Sequence, residues 1–238
     1  MQQFIPVIIA ISVVTLLVTI IRSAKRRQNQ FRQEMRRLGY TPQEQFDPQL
    51  QEKLTQLLKK HANVIRFRNI YSYSRMNFDF YRFDVNRGNE NHIAYAMVAR
   101  HVHLPRFAVV PKIELPGILG KMWKKMLRYM AGGRHFTEVQ LPDNSPFTKK
   151  YLLFAAEAGS VQETVPHSAW GKLAAIPQSL VLDVLDDLIV FQELAVTGKR
   201  IQATDRNSIP QLKAAMDLAG RIYDCLRDAR PVPAGPVS

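Results

Sequence analysis

The sequence predicts an α+β chain: a single transmembrane helix at residues 4–21, then a cytoplasmic domain with a mainly antiparallel sheet, closed by a C-terminal amphipathic helix. Three observations carry that prediction. Residues 4–21, FIPVIIAISVVTLLVTII, hold no charge and are followed at once by Arg22, Lys25, Arg26 and Arg27. From residue 64 the apolar positions alternate with polar ones and are broken by short hairpin-like interruptions. Near residue 207 the pattern returns to a helical period.

The apolar run extends about 27 Å as a helix, against a hydrocarbon core of roughly 30 Å. Its polar residues are Ser12, Thr15 and Thr19 alone, whereas a core helix of a soluble domain carries a polar face. A cleaved signal peptide would place cations before the run and a small-residue cleavage site after it, but residues 1–3 have no side-chain charge. The positive-inside tendency puts residues 1–3 outside and everything from Arg22 onward in the cytoplasm, at the inner membrane. Pro6 falls in the first turn, where a missing amide hydrogen costs little.

After that run, a little over 200 of the 238 residues remain, enough for one sizeable core or two small ones. The mean hydropathy of −0.18 argues against several spans. The single Cys225 forms no internal disulfide and, within an apolar helical pattern, reads as a small core residue. The formal charge of +13 is uneven. Residues 1–60 hold 10 cations to 4 carboxylates, residues 61–135 hold 13 to 4, and residues 136–238 hold 10 to 12. An excess nearest the apolar run suits a bilayer with anionic head groups, or acidic surfaces of other membrane proteins, better than nucleic acid.

In chain order, residues 22–38 continue the first helix as a basic juxtamembrane segment that stops at Gly39. Residues 39–63 are a linker and an amphipathic helix. Asp47 is its N-cap, Pro48 its first residue, and Leu50, Leu54, Leu57 and Leu58 its apolar face. Residues 64–227 are the α+β domain, with possible halves meeting near 131–136. Its strands are expected at 64–71, 77–85, 92–102 and 107–113 as an antiparallel meander. Further strands are expected at 136–141 and 147–155, and at 180–185 and 188–194 as a pair joined at Asp186-Asp187. A last helix is capped by Asn207 or Ser208, with Pro210 in its first turn. Its face is Leu212, Ala215, Met216, Ala219, Ile222, Tyr223 and Leu226. Residues 228–238 read as a disordered tail.

Three motifs occur in order: Leu104-Pro105-Arg106-Phe107 with Pro111, then Phe136-Thr137-Glu138-Val139, then Phe147-Thr148-Lys149-Lys150-Tyr151-Leu152-Leu153. This series resembles an uncharacterised group of bacterial, often membrane-attached proteins with LPxF…P, F…V and F…Y-L strands before an amphipathic C-terminal helix. The resemblance spans residues 92–226 and supports the fold; it implies no activity and no catalytic residue. The chain departs from the pattern at residues 114–134, where it carries a longer basic segment.

That segment is the main candidate contact in the domain. As a helix over 118–130 it groups Leu119, Met122, Trp123, Met126, Leu127 and Met130 on one side, with Lys121, Lys124, Lys125 and Arg128 mostly elsewhere. It suits a bilayer interface, a partner protein, or plain cover for the sheet. His101 and His103, at alternate positions of an expected strand, form a weak metal candidate with His92 or Glu114 as further ligands. Asp183, Asp186 and Asp187 read as turn residues. Arginines interleaved with aromatics over residues 66–83 fit sheet strands better than a nucleic-acid platform. No GxSxG, GxGxxG or GxxxxGK[ST] occurs, so no catalytic or cofactor-binding residue is nominated. Three functions follow: a non-catalytic, membrane-anchored accessory, scaffold or assembly subunit; a lipid-surface binding module; and an enzyme on a membrane substrate with no identified site.

Overall fold

The helix that begins in the apolar run continues into the charged one. In the computed structural model, which describes residues 5–58, 65–87, 90–112, 136–142, 145–197, 200–203 and 208–229, α1 runs unbroken over Ile5–Arg37. It ends at Gly39, whose φ of 84° is the left-handed value that glycine adopts without a Cβ clash. Gly39 N donates to Arg36 O and Tyr40 N to Met35 O, both at 3.0 Å, the paired bonds of a Schellman stop.

No helix among the described residues is long and apolar enough to cross a membrane. The expected transmembrane helix at 4–21, with its single-pass membrane topology, is corrected accordingly.

The chain divides into two compact units, Met1–Thr41 and Pro42–Ser238. The second is the α+β body that the alternating pattern predicts. Its first helix, α2 (Pro48–Leu58), starts as expected: Asp47 Oδ1 accepts from Gln49 N at 3.0 Å and Pro48 is the first helical residue. Leu54, Leu57 and Leu58 are buried, and Leu50 is partly so.

Ten strands form one sheet among the described residues. They are β1 (Thr41–Gln43), β2 (Arg66–Ser74), β3 (Phe78–Arg87), β4 (Glu90–Ala99), β5 (Leu104–Pro111), β6 (Thr137–Glu138), β7 (Tyr151–Ala155), β8 (Ser179–Asp186), β9 (Leu188–Thr197) and β10 (Arg200–Ala203). The order is β1-β2-β3-β4-β9-β8-β5-β7-β6, with β10 also on β9. From β2 to β6 every pairing is antiparallel. The expected four-strand meander stops at three, because the β8-β9 hairpin is inserted between β4 and β5. Pro105 brings a second irregularity: it cannot donate to the ladder, and the β5-β8 register shifts between Leu104 and Phe107.

The stretch 147–155, expected as one strand, is a helix followed by a strand. Ser145 Oγ accepts from Thr148 N at 3.1 Å and Pro146 is the first residue, so α3 (Pro146–Lys150) precedes β7. Two further helices, α4 (Ala158–Thr164) and α5 (His167–Ala175), lie where no helix was expected. The last, α6 (Ile209–Leu226), has Ser208 at its N-cap position. That hydroxyl bonds Gln211 Oε1 at 3.0 Å and makes no capping bond to the backbone.

Both faces of the sheet are apolar. On one, Phe46 and the leucines of α2 pack with Phe83, Val85, Ala96, Leu188 and Val190. Phe78 and Phe80 point the other way, since alternate residues of a strand face opposite sides. There Phe78 meets Tyr223 of α6, while Phe107 meets Trp170 of α5 edge-on, with ring centres 5.7 Å apart in each pair. Cys225 is buried within α6, as its helical position suggests.

Candidate functional site

Three groups of side chains could carry chemistry or binding. The first is α1. Its described side chains from Thr15 to Arg32 are exposed, Phe31 excepted, and Leu16, Val18, Ile20 and Ile21 stand at 62%, 42%, 53% and 64%. Arg22, Lys25, Arg26, Arg32, Arg36 and Arg37 are exposed as well, with Glu34 the one acid on the helix. The side chain of Arg27 lies outside the described residues.

The second group is a charged cluster at one end of the sheet. The β8-β9 hairpin closes with Asp186-Asp187, and Asp186 takes a φ of 58°, which Asp tolerates better than most residues. Lys53 of α2 reaches both carboxylates, with Nζ 2.7 Å from Asp186 Oδ2 and 2.6 Å from Asp187 Oδ1. His103 Nδ1 lies 2.6 Å from Asp186 Oδ1. Partial burial opposes ionisation of Asp186, yet hydrogen bonds from Lys53 and His103 outweigh it and hold the carboxyl below its ordinary value of 3.8. Desolvation likewise opposes the charge on Lys53, and the two aspartates reverse it, raising that amine above 10.5. Each group therefore stabilises its partner's charged form.

The third group is buried in the sheet. Arg82, 2% exposed, lies 2.8 Å from Asp84 Oδ1, an ion pair whose angle falls short of a hydrogen bond. Its Nη1 also donates to Asn69 O at 3.1 Å, and Asn69 Nδ2 donates to Asp84 Oδ2 at 2.6 Å. Asn69 takes a φ of 49° inside the β2 register shift, so the bulge turns its amide towards the carboxylate. The guanidinium also lies over the Tyr71 ring, 5.9 Å from its centre. Such a network holds strands in register.

Two open depressions accompany these groups. One, of about 650 Å³, lies along the polar side of α2 beside Gln45, Gln51 and Gln56. The other, of about 500 Å³, lies between α5 and α6 beside Lys172, Arg221 and Cys225. Burial pushes the Cys225 thiol up to about 11, leaving it protonated and a poor nucleophile near neutral pH.

His101 and His103 sit in the loop before β5, and His101 has a φ of 63°, so alternation along a strand does not place them on one face. His103 is engaged by Asp186 instead. Among the described residues no group of three or more His, Cys, Asp or Glu side chains could hold a metal ion. The segment carrying Leu119, Lys121, Met122, Trp123, Lys124, Lys125, Met126, Leu127, Arg128 and Met130 lies outside the described residues, as does Glu114. The Lys53 cluster escaped sequence reasoning. Asp186-Asp187 signalled a turn, but nothing in one dimension relates that turn to a lysine far back along the chain. No protein-family model, curated protein or solved structure matches this chain.

Proposed function

We propose that the chain is a non-catalytic accessory or scaffold subunit that joins a larger assembly through α1. The observation that carries this reading is the exposure of α1. Helices in water draw most of their stability from burying an apolar face. In α1, Leu16, Val18, Ile20 and Ile21 are left in solvent, next to a run of cations. A partner surface would remove that apolar area from water, at about 25 cal/mol per Å², and would meet the cations with opposite charge.

The test is native mass analysis of the tagged full-length chain extracted from its own cells under mild conditions. A defined stoichiometric complex that disperses in the double variant Leu16→Asp, Ile20→Asp is the expected result. Recovery as a free monomer at every concentration and salt tried would overturn the reading.

A further inference from the structure

We propose that one side of α1 is a cationic ridge that binds an anionic lipid surface. The inference rests on α1 as the contact arm and concerns its cationic side. At 100° per residue, Arg22, Lys25, Arg26, Arg32, Arg36 and Arg37 fall within an arc of roughly 140° and extend along about 22 Å of helix. All six are exposed, and none pairs with a carboxylate among the described residues. Glu34, the helix's one acid, falls outside the arc.

On the far side lie half-buried Phe31 and buried Met35. Six of the seven cations of residues 22–37 therefore share one side of the helix; Arg27, whose side chain lies outside the described residues, falls outside the arc by position.

A row of cations alone would suit any polyanion. What selects a lipid surface is the turn that precedes it. Val18 falls within the same arc and Ile21 about 20° beyond its edge, both exposed and aliphatic, while Leu16 and Ile20 fall well outside it. Against a nucleic-acid backbone these side chains would gain nothing, since such interfaces are polar and strongly charged. Against a bilayer they enter the head-group boundary while the cations meet phosphates, as in a basic segment lying along the plane of an anionic surface. A helix in that plane does not cross the bilayer, so the absence of a spanning helix among the described residues does not conflict with it.

The experiment is co-sedimentation of the full chain with vesicles of phosphatidylcholine alone, or of phosphatidylcholine mixed with phosphatidylglycerol, over a range of salt. The chain is expected to bind the mixed vesicles, to ignore the neutral ones, and to dissociate as salt screens the charges. The triple variant Arg22→Gln, Lys25→Gln, Arg26→Gln should bind about a hundredfold more weakly, near fivefold for each cation lost. A second triple variant, Arg32→Gln, Arg36→Gln, Arg37→Gln, should weaken it similarly and decides the matter if the first fails to fold. Arg22→Lys with Arg26→Lys keeps the charge and should keep the binding.

Equal binding to both vesicle types would overturn the proposal. So would failure to sediment with either, including the case where RNA or an acidic protein is bound instead. Because native mass reads protein partners and vesicles read lipid, failure of the subunit reading and failure of this one are seen separately.

Discussion

Arg82 is the residue whose surroundings depend most on every neighbour being present. A guanidinium at 2% exposure is tolerated because Asp84 lies 2.8 Å away, the Asn69 carbonyl accepts from it, and the Tyr71 ring lies beside it. Removing one partner leaves a buried charge uncompensated, which costs about 3–5 kcal/mol, whereas replacing both with apolar residues of similar volume is often near neutral. Arg82→Ala is therefore expected to destabilise the domain by about that amount. The double variant Arg82→Met, Asp84→Leu should recover much of the loss. Urea unfolding of the three proteins measures this, and a double variant no better than the single one would assign the pair's value to specific geometry and not to charge balance.

At the scale of elements, the Lys53 contacts tie α2 to the β8-β9 turn. Lys53 is partly exposed, so the pair contributes no more than about 1 kcal/mol. Its pH dependence can nevertheless be worked out. Asp186 has a folded pKa below 3.8, so its contribution is present above that value and is lost as pH falls through the lower folded one. Lys53 has a folded pKa above 10.5, so its contribution is complete below that value and is lost as pH rises through the higher folded one. The stability gap between the natural protein and Lys53→Met should accordingly be flat from about pH 4 to about pH 10 and close at both extremes. Denaturation midpoints across pH test this. A gap that persists into strong acid would assign the effect to the packing of the lysine stem. Lys150 plays a related part for α5: its amine donates to Ala174 O and Ile176 O at the helix end, and burial lowers its pKa.

For the molecule as a whole, the central pairings of the sheet are its most distant ones in sequence. Tyr95 of β4 pairs with Phe191 of β9, and Phe107 of β5 with Val184 of β8. Long loops must close before either contact forms, which slows folding. Refolding of the full chain is expected on a timescale of about milliseconds to seconds, and stopped-flow fluorescence of its tryptophans would show it. A microsecond phase carrying the whole amplitude would mean that local contacts dominate instead.

Much of the local structure was legible in the residues. Gly39 ends α1, Asp47-Pro48 starts α2, alternation marks the strands, and Asp186-Asp187 marks the hairpin, because each depends on a few neighbouring dihedrals and hydrogen bonds. Two local signals were outweighed. Ser145-Pro146 opens a short helix where the β-like run from Phe147 suggested strand. The apolar run suggested a spanning helix, and no helix among the described residues is long and apolar enough to cross a membrane. Strand order, the insertion of β8-β9 between β4 and β5, and the meeting of Lys53 with Asp186 and His103 were decided only in three dimensions. The reason is that pairing across a sheet depends on which apolar faces fit together after folding, and that choice is made between segments a hundred residues apart, with no trace in the spacing of either one.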